Sequence, residues 1–200
     1  LRIVFAELGL SIDGATVLEP AANRGIMSTV LQDDGATVTA CDVHAYPDQV
    51  ANAPRPRIGS FVGDEGDLLA DVLSFTAQRF DFGITNPPFA LGLAFALRML
   101  ELCRHVAILQ RSNWSEGGER YTELFGRHAP LAEAQFVERV PMVRGRWDPY
   151  ASTATAYSWF VFGPEPADTT IKLWIPPGQR VALSKPDDVR RFTFSKGELI

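Results

Sequence analysis

Apolar residues in this chain come in short runs separated by polar, glycine- or proline-containing stretches. Thr16-Val17-Leu18, Thr37 to Cys41, Ile58 to Val62, Phe80 to Thr85 and Val106 to Leu109 are each bounded by turn residues and predict strands. Segments between them have helical character: Ile26 to Leu31, ended by Gly35; Asp67 to Gln78; and the strongly apolar Leu91 to Cys103. Leu1 to Leu10 predicts a short amphipathic helix ending near Gly9, and Ser11 to Gly14 a turn. Arg120 to Arg127 predicts another helix. Ala134 to Val140 alternates as a sixth strand, and Ala156 to Phe162 is an aromatic-rich seventh. Gly163 to Thr169 reads as a linker, Ile171 to Ile175 suits an additional strand, and the rest reads as a polar tail.

Strands alternating with helices predict an α/β fold, a mostly parallel sheet of seven strands covered on both faces. The close succession of strands six and seven predicts a final antiparallel hairpin. If strand six is parallel to the others, the loop Pro141 to Thr153 overhangs the edge that carries the other strand ends. Ligands bind at that edge in open α/β sheets. There is no internal repeat. One domain is expected over residues 1–163, with residues 164–200 as an extension packed on it or trailing from it.

Two hundred residues suit one hydrophobic core, and 46% hydrophobic with 22% charged residues is ordinary for a globular protein. No apolar run is long enough to span a bilayer, so no membrane partner is expected. Leu1 to Phe5 lacks a signal-peptide pattern, and the lack of an initiator Met leaves residues upstream open. Cys41 falls on a predicted strand and Cys103 on a predicted helix. Neither suits a disulfide framework or a zinc site, which fits a reducing cytoplasm. A net charge of −5 argues against non-specific nucleic-acid binding by the whole surface, while leaving room for a local basic patch.

The chemistry gathers at strand ends. Asn86-Pro87-Pro88-Phe89 follows the fourth strand, and two consecutive prolines stop it abruptly. An amide and an aromatic ring flank that stop. After the first strand, the small-residue loop Glu19-Pro20-Ala21-Ala22-Asn23-Arg24-Gly25 opens a helix, whose free N–H groups suit a ligand. Asp42, ending the second strand, either accepts ribose hydroxyls or caps a turn; the βαβ spacing favours ribose. Gly63-Asp64 ends the third strand. Trp114 is either a core anchor or a substrate contact. Arg144, Arg146, Trp147 and Tyr150 are either an ordinary solvated loop or a nucleic-acid contact. Asp33-Asp34 and Asp187-Asp188 read as solvated charge rather than metal ligands, and His44, His105 and His128 are scattered.

In this order, these motifs resemble the class I S-adenosylmethionine-dependent methyltransferases, and specifically the amino-methyltransferases that modify adenine in DNA, of phage or prophage type. The resemblance covers about residues 14 to 163. It implies a Rossmann-like sheet and S-adenosylmethionine as cofactor, held by Glu19, Pro20, Ala21, Asn23, Gly25, Asp42, Val43, Asp64 and Asn86. It implies catalysis by Asn86, Pro87 and Phe89: two acceptors on the target amino group, and a ring stacked on the base, although Phe89 by itself also suits a cap on the core beneath the following helix. Pro88, Trp114, Arg144, Arg146, Trp147 and Tyr150 are the implied substrate contacts, and no metal is implied. Asn23 stands where the family usually has glycine, and Asn tolerates a left-handed backbone better than most residues. No proline precedes Pro20 to match the family's upstream cofactor segment, and no large target-recognition region is present.

The expected partner is DNA. RNA or a protein glutamine side chain is the alternative, because an amide NH₂ presents the same chemical problem as an adenine amine. A partner subunit or homo-oligomer stays open, as does a non-catalytic methyltransferase-like binding module. Nicotinamide-dinucleotide binding would explain the first loop and Asp42 but leaves Asn86 to Phe89 without a role.

Overall fold

The structure is a computed structural model describing residues 1–62, 79–141 and 153–192. Its strands are β1 (Thr16–Glu19), β2 (Thr37–Asp42), β3 (Arg57–Ile58), β4 (Phe80–Thr85), β5 (Cys103–Arg111), β6 (Ala132–Phe136), β7 (Tyr157–Phe162) and β8 (Ile171–Ile175). The helices are α1 (Arg2–Glu7), α2 (Ile26–Asp33), α3 (Gly92–Leu102), α4 (Gly118–Arg120), α5 (Gln179–Leu183) and α6 (Asp188–Phe192). Gly63, Asp64, the helix expected over 67–78, and Arg144, Arg146, Trp147 and Tyr150 lie outside the described residues.

The described strands form one sheet in the order β3-β2-β1-β4-β5-β7-β6-β8. β1, β2, β3, β4 and β5 run parallel. β7 is antiparallel to both β5 and β6, which makes β6 parallel to the rest. The mostly parallel α/β sheet and its antiparallel hairpin are therefore as expected. β8 adds an eighth strand, parallel to β6.

Alternation along the strands splits the core into two layers. Leu18, Cys41, Ile108 and Phe160 face α3, where they meet Phe95 and Met99. Val17, Ile84, Leu109 and Trp159 face the other way, where they meet Phe5 and Leu31. Period-two side-chain placement on a sheet buried on both faces produces this division.

Several boundaries differ from the sequence expectation. β3 is two residues long, because after the Gly59 N–H bonds the Asp42 carbonyl at 2.9 Å the chain bends away. β6 covers 132–136 rather than 134–140, because its partner β7 begins only at Tyr157. β5 starts at Cys103, so that residue lies on a strand and not on a helix. Both cysteines are free, and burial pushes both thiols up to about 12. The helix expected over 120–127 is α4 followed by a π turn, Tyr121–Phe125.

The described part of the polar tail, through Phe192, folds onto the domain. Phe192 of α6 is buried, and Lys185 and Arg191 each reach Asp33 at 2.9 Å. Asp34 pairs with Arg2. Asp33 and Asp34 are thus ion-paired, not merely solvated.

Candidate active site

The parallel strands bring several loops to one edge. β1 ends at Glu19, β2 at Asp42, β4 at Thr85 and β5 at Arg111. The register aligns Leu18 with Gly83 and Thr85 with Ile108. The Glu19–Gly25 loop, Asp42, Val43 and Asn86 therefore share the carboxyl edge. β6 also ends there, at Phe136.

The first loop is tightly determined. Gly25 has φ 82°, and an added Cβ would lie 2.6 Å from the Ala53 Cβ, so both conformation and contact demand glycine. Asn23 has φ 52°. Its side-chain oxygen accepts the Arg24 N–H at 2.8 Å, a local bond that offsets the strain of a left-handed residue. The Asn23 N–H donates to Asp42 Oδ2 at 2.7 Å, and the Ala22 N–H to the Cys41 carbonyl at 2.9 Å. Pro20 is buried and Ala21 half-buried.

Glu19 is fully enclosed, accepting a hydrogen bond from the Ser28 hydroxyl of α2. Burial pushes its carboxyl up to about 8, and the nearby Asp42 charge adds to the rise. Asp42 is 7% exposed and engages both oxygens: Oδ2 with Asn23 and Oδ1 with the His44 N–H at 2.9 Å. The turn-capping alternative is the one realised within the chain. A carboxylate offers about four lone-pair positions, and these two bonds use half of them. Val43 beside it is 58% exposed.

At the proline turn, Asn86 and Pro88 are exposed, Pro87 is buried and Phe89 is half-buried. The Leu91 N–H closes the turn on the Pro88 carbonyl at 2.8 Å. Phe89 stacks on Tyr157, with centroids 5.4 Å apart, and the Arg111 guanidinium lies 5.6 Å from the Phe89 centroid. Beneath the turn, Thr85 Oγ1 and Gln110 Nε2 are buried without a hydrogen-bond partner among the described residues.

Trp114 is corrected to a core anchor. Its ring is buried, edge-on to Phe125 at 5.3 Å and to Phe160 at 5.0 Å, which leaves no face for a substrate.

Four neighbours of the site escape sequence reasoning. Arg24 is buried, bonds Asp48 at 2.8 Å and lies over Tyr46, pinning the Glu19–Gly25 loop to the loop after β2. Ser28 holds Glu19. Arg111 and Tyr157 pair across β5 and β7 beside Phe89. The available signal for Arg111 was its place just past an apolar strand, at the ligand edge.

No protein-family model and no curated protein matches this sequence. By fold the chain is similar to several solved structures. One is a candidate RNA methyltransferase from Pyrococcus horikoshii, with 16% identity over 82% of this chain and 81% of that one, TM-score 0.55. Another is a candidate hemolysin from Lactococcus lactis, with 16% identity over 85% and 89%, TM-score 0.55. A third is a Thermoplasma acidophilum protein, with 18% identity over 84% of each chain, TM-score 0.53. At these identities the likeness establishes the Rossmann-like fold.

Proposed function

We propose that this protein is an S-adenosylmethionine-dependent methyltransferase that modifies the exocyclic amino nitrogen of adenine in DNA. The observation that carries this reading is the exposed Asn86 on a proline-stiffened turn at the end of β4, on the same edge as the loop that joins β1 to α2. The fold shared with the candidate Pyrococcus horikoshii RNA methyltransferase is compatible with the class and neutral about the substrate.

The residues present fit the cofactor. Gly25 and Asn23 adopt the left-handed backbone the loop needs, Asp42 keeps acceptor capacity for ribose hydroxyls, and exposed Val43 offers an apolar surface for an adenine ring. Glu19 lies beneath the loop and acts by holding its shape together with Ser28. Asp64 belongs to the same proposed set. When bound, S-adenosylmethionine supplies an electrophilic methyl group on a sulfonium.

Asn86 accepts one hydrogen from the target NH₂ through its side-chain oxygen, and the Pro87 carbonyl accepts the other. Two acceptors draw the nitrogen lone pair out of conjugation and aim it at the incoming methyl. Proline suits the second position because it brings a carbonyl and no competing donor. Positioning and electrostatics supply the acceleration. A duplex base must leave the stack to reach this turn. Phe89, Pro88, Arg144, Arg146, Trp147 and Tyr150 complete the proposed substrate surface.

A second reading, a non-catalytic methyltransferase-like module, is favoured by one observation: Asp42 already serves Asn23 and His44. Calorimetric titration with S-adenosylmethionine, with NADH as control, separates the two. Micromolar binding of S-adenosylmethionine alone is expected; no binding sinks the enzyme reading. Labelled-methyl transfer to DNA, RNA and a protein extract then identifies the substrate class. Incorporation into RNA or protein in place of DNA overturns the adenine-in-DNA assignment.

A further inference from the structure

We infer that Arg111 is a substrate-binding residue that takes a phosphodiester of a single-stranded or flipped-out nucleic-acid segment at the Asn86 turn. This rests on the methyltransferase reading for its biological setting, and its test does not.

Arg111 is the last residue of β5 and is exposed. The register of β4 and β5 carries it three positions beyond Ile108, which lies opposite Thr85, so it projects past the end of β4 at the level of the proline turn. Its guanidinium lies 5.6 Å from the Phe89 centroid. Tyr157, directly opposite Arg111 on β7, stacks on the same ring and is itself buried. An aromatic pair therefore holds a cation at Phe89, the last residue of the Asn86–Phe89 turn. Arg111 makes no ion pair with any carboxylate among the described residues.

The contrast with other arginines is informative. Arg2, Arg24, Arg98, Arg127 and Arg191 pair with carboxylates and Arg79 and Arg120 hold backbone carbonyls, whereas Arg111 rests on an aromatic ring at the carboxyl edge. In a chain of net charge −5, with acidic residues in excess, an arginine held on a ring at the ligand edge instead is a cation kept for an external anion. A cation on an exposed aromatic face is held weakly, so a phosphate competes for it readily. A base that stacks on Phe89 displaces the guanidinium, and the adjoining phosphodiester offers the new partner. Nucleotides supply both groups at neighbouring positions. A glutamine side chain supplies neither a ring nor an anion, so the pair favours nucleic acid over a protein substrate.

The test is fluorescence anisotropy with a labelled mixed-sequence single-stranded DNA 12-mer, titrated at several sodium chloride concentrations with wild type, Arg111→Gln and Arg111→Lys. Arg111→Gln is expected to weaken binding about tenfold and to reduce the salt slope by about 0.7, the value of one lost phosphate contact on a single strand. Arg111→Lys keeps the slope. Because the side chain is exposed, melting temperatures should match and separate a binding loss from misfolding. Unchanged affinity and slope in Arg111→Gln overturn the assignment and leave Arg111 as packing on Phe89. Wild type that binds S-adenosylmethionine but no oligonucleotide also overturns it, with the methyltransferase reading intact. So does polyglutamate binding with the same Arg111 dependence in place of DNA. Arg111-dependent oligonucleotide binding without S-adenosylmethionine binding upholds the assignment and removes the cofactor reading.

Discussion

At the amino edge of the sheet, polar side chains tie one element to another; at the carboxyl edge Glu19 and Asp42 are also bonded within the chain, but Asn86 faces outward and two polar atoms lie unpaired beneath the loops. Asp81, near the start of β4, accepts from the Thr16 backbone at 2.9 Å and from its hydroxyl at 2.8 Å, locking β4 to β1. Arg79 caps carbonyls of Leu100 and Glu101 at the end of α3. Arg2 holds Asp34 at the end of α2. Across the sheet, Asn86 is exposed, Glu19 is buried with a raised carboxyl, and Thr85 Oγ1 and Gln110 Nε2 lack partners among the described residues. A buried unpaired polar group costs about 1–3 kcal/mol. The carboxyl edge gives up some stability at Thr85 and Gln110, on the side where ligands are expected.

The comparison is broken most severely at Asn86. Under the proposed mechanism, in which Asn86 is one of two amine acceptors, Asn86→Ala is expected to lower methyl transfer by about a hundredfold or more while S-adenosylmethionine affinity changes little. Kinetics of labelled-methyl transfer beside calorimetry reads both. Equal activity would remove Asn86 from the mechanism.

Glu19 comes next. Its folded-state carboxyl is raised from 4.5 to about 8, so the folded protein holds a proton that the unfolded chain releases earlier. The associated stability is full below pH 4.5 and is lost as pH rises to about 8. Melting temperature should fall across that window in wild type and flatten in Glu19→Gln. An identical slope in both would show that Glu19 is not the buried acid responsible.

The amino edge should respond in stability alone. Asp81→Ala is expected to cost about 1 kcal/mol in urea unfolding, with no change in cofactor binding. The Asp81 carboxyl is held below its usual range by the Thr16 hydrogen bonds, so its contribution is present above pH 3.8 and lost as pH falls further. A change in S-adenosylmethionine affinity would mean that the two edges are coupled. The smallest effect belongs to Arg98 and Glu101, an exposed pair three residues apart on α3. Alanine at either position should shift stability by no more than about 0.5 kcal/mol.

Much of the site was legible because strand ends are marked by residues that cannot continue a strand. Pro87 and Pro88 stop β4 whatever surrounds them, and Gly25 and Asn23 advertise a left-handed backbone. Side-chain partners were less legible. Trp114 has the same indole whether it fills a core or meets a substrate, and only the packing of Phe125 and Phe160 around it decides. Asp42 suited ribose and capping equally by type; the position of the Asn23 N–H, 2.7 Å away, brought out the second role.

The amino-acid order by itself determined the alternation of strands and helices, the parallel sheet with its closing hairpin, and the clustering of chemistry at strand ends. These depend on local periodicity and on backbone limits that each residue carries with it. Tertiary structure alone decided that β8 joins β6, that the tail closes onto Asp33, that Trp114 is core, and that Arg111 and Tyr157 meet at Phe89. Those contacts join residues far apart in the chain. Their energies depend on distances set only once the whole sheet has formed.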